Sequence, residues 1–251
     1  MKKNNPVIVS SLSLMAKQII ALCRKEWRTC IDTPLAYVIG IAFLVTTGFF
    51  FSNSLFLVNE ADMRGWFAVL PLLLIFFVPA MAMRFIADER RSGTFELLAT
   101  LPVGTLTVVL GKFLSLFTQL AVLIGLTLLY PWTLSGLGTL DGGQMMVSYI
   151  ALLLLAGSYA AICLYASALT GYEVIAYVFG LVLLLTLFLL LQVATLFPPF
   201  IQNVLTTLSP VAHYQSLLRG VLNLGDVVYL LMVIGVFISL CSFELERRRW
   251  R

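Results

Sequence analysis

Charge is scarce in this sequence, and its scarcity excludes more than any motif. Charged residues make up 11% of the 251 positions against 61% apolar ones, with a formal net charge of +4. The mean hydropathy is +1.01. A soluble domain of this length cannot hide that much apolar surface, so the solvent for much of it must be lipid. The single histidine, His213, excludes a multi-histidine metal centre. Four cysteines (Cys23, Cys30, Cys163 and Cys241) have neither metal-ligand nor redox spacing and read as small apolar fillers. A phosphate-binding P-loop is missing too: Gly111-Lys112 is followed by Phe113 and lacks the upstream glycine. Any nucleotide must therefore be held by another chain. Ionisable groups are almost absent from the apolar runs, which disfavours a proton relay or an ion-coupled transporter.

Catalytic constellations are equally thin. Ser158 and His213 are the only pair that would suggest an intramembrane hydrolase, yet AGSYA and VAHYQ lack a nucleophile turn. A serine inside a span more often serves helix packing. No catalytic residue and no metal or cofactor site is assigned to this chain.

What is present is a series of charge-free runs, each able to supply the roughly 20 apolar residues that one membrane crossing requires. The first lies between Asp32 and Glu60 and the second between Arg64 and Arg84, bent at Pro71 and Pro79. The third follows Lys112, the fourth lies between Asp141 and Glu173, and the fifth ends at Pro198-Pro199. The sixth follows Asp226 and stops at Glu244. Small residues fill the fourth, from Gly157 and Ser158 through Ala160, Ala161, Ala166 and Ser167 to Gly171, which favours close helix approach. Residues 198–226, with Gln202, Asn203, His213 and Gln215, are too polar to face lipid throughout and read as a re-entrant or surface pair of short helices. Six spans put both termini and the loop between spans two and three on one side. Of sixteen Lys and Arg residues only Arg64 and Arg219 then fall outside, so that side is cytoplasmic by the positive-inside rule. The fold class is an all-α integral membrane protein, a single domain over 1–251.

Before the first span, residues 10–32 form a basic amphipathic pattern. Leu12, Met15, Ile19, Leu22, Cys23 and Trp27 share one stripe, with Lys17, Arg24 and Arg28 opposite. This suits a helix at the membrane interface, or equally one packed on a partner. Thr33 and Pro34 read as the cap and first position of the next helix.

Most of the remaining charge sits in 84–112, RFIADERRSGTFELLATLPVGTLTVVLGK. Read alone, it is a solvated loop that fixes topology. It also allows a short helix: Ser92-Gly93 breaks the preceding run, Thr94 caps, Glu96 complements the helix dipole, and Pro102 ends it. Phe95, Leu98 and Leu101 give that helix an apolar edge. The run ADERRSGTFELLATLPV resembles the cytoplasmic coupling loop of ABC-2 type permeases, nearest to the gliding-motility branch. EWRTCIDTPLAYVIGIAFL resembles the acidic-aromatic elbow of the same family, and HYQSLLRGVLNLGDVVYLL its final span and approach. Phe95 departs from an expected aliphatic residue.

The resemblance implies a transmembrane subunit of an ATP-driven exporter in the inner membrane, not itself an enzyme. Two copies of a separate ABC ATPase would carry ATP and magnesium, and a second permease copy or homologue would complete a dimer, with no nucleic acid involved. The coupling residues implied are Asp88, Glu89, Arg90, Arg91, Gly93, Thr94, Phe95, Glu96 and Leu98. Arg219 and Asp226 are expected to pair and staple the outer helices, or less directly to form a gate. Glu173 is explained by an interfacial position or by pairing with the coupling region. A membrane scaffold that recruits an ATPase without transporting anything would carry the same docking helix.

Overall fold

Among the described residues, six helices are long and apolar enough to cross a membrane: Pro34–Asn53, Arg64–Arg91, Thr105–Thr133, Gly142–Leu169, Glu173–Ala194 and Leu224–Arg247. The computed structural model describes residues 6–58, 63–91, 104–135, 142–220 and 223–249, and among them no strand occurs. In chain order the helices are α1 (Pro6–Asp32), α2 (Pro34–Val58), α3 (Arg64–Ala82), α4 (Arg84–Arg91), α5 (Thr105–Leu126) and α6 (Leu129–Ser135). They continue with α7 (Gly142–Leu169), α8 (Glu173–Ala194), α9 (Pro199–Leu208), α10 (Pro210–Leu217) and α11 (Leu224–Arg249). The all-α, six-span architecture agrees with the sequence reading.

The small-residue span is the centre. In α7, 78% of the most apolar stretch is buried, against 17% in α2 and α8 and 22% in α11. Helices α3, α5, α8, α10 and α11 all pack on it. Its small side chains set the distance of approach: a Cβ on Gly157 would lie 3.2 Å from Ile234 of α11 and 3.2 Å from Phe117 of α5. The peripheral helices instead turn Val38, Ile41, Val45 and Phe49 of α2, and Leu231, Met232 and Val236 of α11, outward. Outward apolar faces of this extent suit lipid contact. Aromatic groups fill the space between α2, α3, α6 and α7, Phe51 stacking on Tyr130 at 5.1 Å and Phe67 meeting Tyr149 edge-on at 5.2 Å. Buried Trp66 donates Nε1–H to the Thr47 carbonyl at 3.1 Å, and the Tyr214 hydroxyl donates to the Phe67 carbonyl at 2.9 Å.

Three element boundaries differ from the sequence reading. Helix α3 runs unbroken through Pro71 and Pro79, and the break comes at Met83. There the Ser167 hydroxyl of α7 enters the ladder, accepting from Ile86 N–H at 3.3 Å and Ala87 N–H at 3.1 Å and donating to the Met83 carbonyl at 3.1 Å. Ala87 N–H and Met83 C=O would otherwise bond each other, so the side chain of a neighbouring helix interrupts the ladder there. Both described ends of the expected loop over 84–112 are helical: α4 extends to Arg91 and α5 starts at Thr105, placing Lys112 inside a span. At the other terminus α11 continues beyond Glu244 to Arg249. Residues 198–226 do hold two short helices, α9 and α10, each with proline at its start.

Candidate functional site

Helices α1, α4 and α5 meet at one end of the bundle around a buried cation. Gly111 of α5 makes the approach possible, because a Cβ there would lie 2.9 Å from Leu22 Cβ of α1. The next residue, Lys112, is 1% exposed. Its Nζ donates to the Phe85 carbonyl at 2.6 Å and to Glu26 Oε1 at 3.1 Å, and lies 2.8 Å from Glu89 Oε2. An ammonium carries three hydrogens and accepts nothing, so three oxygens, one from α1 and two from α4, suit it. Two carboxylates and one carbonyl are the compensation that a charge at this depth requires. The aligned hydrogen bonds are those to Phe85 and Glu26, and the Glu89 contact is an ion pair of close approach.

Further contacts extend from this node. The Glu89 carboxylate also meets Lys25 at 3.4 Å. Trp27 Nε1–H donates to Thr118 Oγ1 at 2.6 Å, pinning α1 along α5. Arg90 donates to the Ala168 carbonyl at 2.7 Å, satisfying an acceptor at the C-terminus of α7. Arg84 pairs with Glu173 at 3.1 Å, which resolves the two readings of Glu173 in favour of pairing with the charged segment. Burial pushes the Cys30 thiol up from its ordinary range, with the Glu26 charge adding to it, and burial raises Cys23 as well. Both fit the reading of cysteine as apolar filler.

The expected coupling residues therefore divide. Asp88 and Arg91 are exposed, whereas Glu89 and Arg90 are partly buried and hold the bundle together. Gly93, Thr94, Phe95, Glu96 and Leu98 lie outside the described residues. Sequence reasoning missed Glu26, Lys112 and Ser167 as partners of this segment. The available signal was a lone lysine in the apolar run TLTVVLGKFLSLF, since an intramembrane cation calls for a named counter-ion.

At the opposite end, the expected Arg219–Asp226 pair is replaced by another. Asp226 Oδ1 lies 2.6 Å from His213 Nδ1, while His213 Nε2 lies 3.1 Å from the Thr207 carbonyl. The imidazole stacks on Tyr229, with centroids 4.0 Å apart, and the Tyr229 hydroxyl donates to the Leu208 carbonyl at 2.7 Å. His213 wins Asp226 because α10 and α11 pack side by side, which brings the ring onto the first turn of α11. The Ser158–His213 pairing does not form either. Ser158 donates to the Leu155 carbonyl of its own helix at 2.7 Å, and both histidine nitrogens are engaged elsewhere.

Six crossings, an amphipathic first helix and a charged segment tied into the span ends define a multi-pass membrane protein of transporter type. The chain belongs to the ABC-2 transporter family: the family described as "ABC-2 family transporter protein" matches residues 20–250. It is thus a permease component, a membrane part that is not itself catalytic. No curated protein matches it significantly.

Proposed function

We propose that this chain is the permease subunit of an ABC exporter, driven by ATP hydrolysis in two copies of a separate nucleotide-binding subunit. Magnesium and ATP reside in that partner. A second permease, identical or related, completes the pathway, and both termini face the cytoplasm across the inner membrane. Within the family, the likeness is to the gliding-motility branch.

The observation that carries this reading is the rigid attachment of the charged segment. Lys112 and Glu89 tie α4 to α5, Lys112 and Glu26 tie α5 to α1, and Arg90 and Ser167 tie α4 to α7. A force applied at residues 92–103 is thereby delivered to α3, α5 and α7 together, as rigid-body rearrangement of a bundle requires. Asp88 and Arg91, both exposed, and Glu96 are assigned polar contacts with the ATPase. Phe95 and Leu98 seat its apolar face.

The test is co-purification of the tagged protein in mild detergent. A subunit with a P-loop is expected to accompany the native protein, and Glu96→Arg should abolish that association, or ATPase stimulation, while leaving membrane insertion intact. Normal association and stimulation in that variant would sink the coupling assignment. Absence of substrate flux in vesicles that contain both subunits would favour a scaffold.

A further inference from the structure

The outward face of α1 carries cations of which the bundle uses only Lys25, in its exposed pair with Glu89. Lys17, Arg24, Lys25 and Arg28 line one shallow groove with a single acid, Asp32, and all five are exposed. Their spacing places them along one side of the helix, opposite the Leu22–Trp27 edge that packs on α5. Lys25 and Thr29 belong also to a second opening, a cavity of about 280 Å³ between α1, α2 and the α3–α4 junction. Its apolar lining is formed by Leu35, Ala36, Ile39, Ala80 and Met81. Those residues lie within the first two membrane-crossing segments.

A basic strip at the surface therefore opens into an apolar recess at span depth. Only an amphiphile with a negative head satisfies both halves. A soluble acidic partner would match the strip but would not reach Ile39 or Ala80. Three carboxylates also line the cavity: Glu26 and Glu89 are compensated by Lys112, and Asp88 is exposed, where water screens it, so none repels an anion at full strength. The two cavity cations are the outward members of their pairs: the Lys25 side chain is 59% exposed against 16% for Glu89, and Arg84 40% against 22% for Glu173. We infer that this face is a binding site for an anionic membrane phospholipid, its phosphate on Arg24, Lys25 and Arg28 and one acyl chain in the adjoining cavity. Basic residues at a membrane surface attract anionic headgroups in this way. Lipid binding here needs no ATPase, so its failure and that of the exporter reading are separable.

The test uses full-length protein in mild detergent, titrated with phosphatidylglycerol or phosphatidylcholine of identical chains and read by native mass spectrometry and thermal unfolding. Phosphatidylglycerol should bind and raise the unfolding midpoint, phosphatidylcholine should do so far less, and inorganic phosphate at matched ionic strength should do neither. Removing each cation should weaken apparent affinity about fivefold, so Arg24→Gln with Arg28→Gln should cost about 25-fold. Ala36→Phe, which fills the recess, should remove the preference for long over short acyl chains while leaving the headgroup preference. Equal binding of both lipids, or unchanged phosphatidylglycerol binding in the double variant, would overturn the proposal. So would loss of a co-purifying protein from that variant with lipid binding intact, which would make the strip a protein-docking face. Both arginines are exposed, and an unliganded midpoint equal to the native one confirms that the variant is folded.

Discussion

The two ends of the bundle are closed by different chemistry. At one end a buried lysine joins residues 26, 85, 89 and 112, segments far apart in the chain. At the other, His213 and Asp226 are 13 residues apart and lie on consecutive helices. The first is a long-range tie with a fully buried charge, and losing any partner leaves another uncompensated. The second is a local staple between neighbouring helices, its side chains 17% and 10% exposed. Its His213 ring keeps the Thr207 contact and the stack on Tyr229 if Asp226 is lost. The lysine end resists small changes and, once its balance is broken, fails as a unit. The histidine end yields one contact at a time.

Three substitutions would break or sharpen that contrast. The largest effect is expected from Lys112→Met, which leaves Glu26 and Glu89 facing each other without a cation. The loss should be about 3–5 kcal/mol, read as a fall in unfolding midpoint and in yield of folded protein. Adding Glu26→Gln and Glu89→Gln should recover most of it, and a single variant as stable as the native protein would refute the buried node. Asp226→Ala should cost less, about 1–3 kcal/mol, because one histidine nitrogen keeps the Thr207 carbonyl. A loss as large as that of Lys112→Met would erase the distinction between the ends. Arg84→Gln should change stability by only about 0.5 kcal/mol, since its pair with Glu173 is partly solvated. A larger loss would mean that the second ion pair belongs to the node.

The legibility of these features follows their range. Span number and order could be read from charge-free runs because a helix in lipid must satisfy its own backbone and present apolar side chains. The crowding of α7 could be read from Gly157, Ala160, Ala161 and Ala166, since small side chains have a direct packing consequence. Lys112 could not be placed in the same way. A rule that keeps charge outside the bilayer pushes it into a loop, and only the approach of Glu26 and Glu89 allows it inside a span. Pro71 and Pro79 marked the second span in the sequence, but the turn at Met83, where the Ser167 hydroxyl enters the backbone ladder, had no signal of its own there. Asp226 was matched to the nearest guanidinium, Arg219, in a stretch where helix packing presented an imidazole instead.

By itself the sequence determined an all-helical membrane protein of six crossings, with a basic amphipathic helix ahead of the first and a charged segment between the second and third. Apolar content and periodicity impose those features at short range, whatever the neighbours. The tertiary structure decided which charged and polar groups pair: Lys112 with Glu26 and Glu89, Arg84 with Glu173, His213 with Asp226. Ion pairs and hydrogen bonds act over a few ångströms between helices, and only packed helices bring such groups that close.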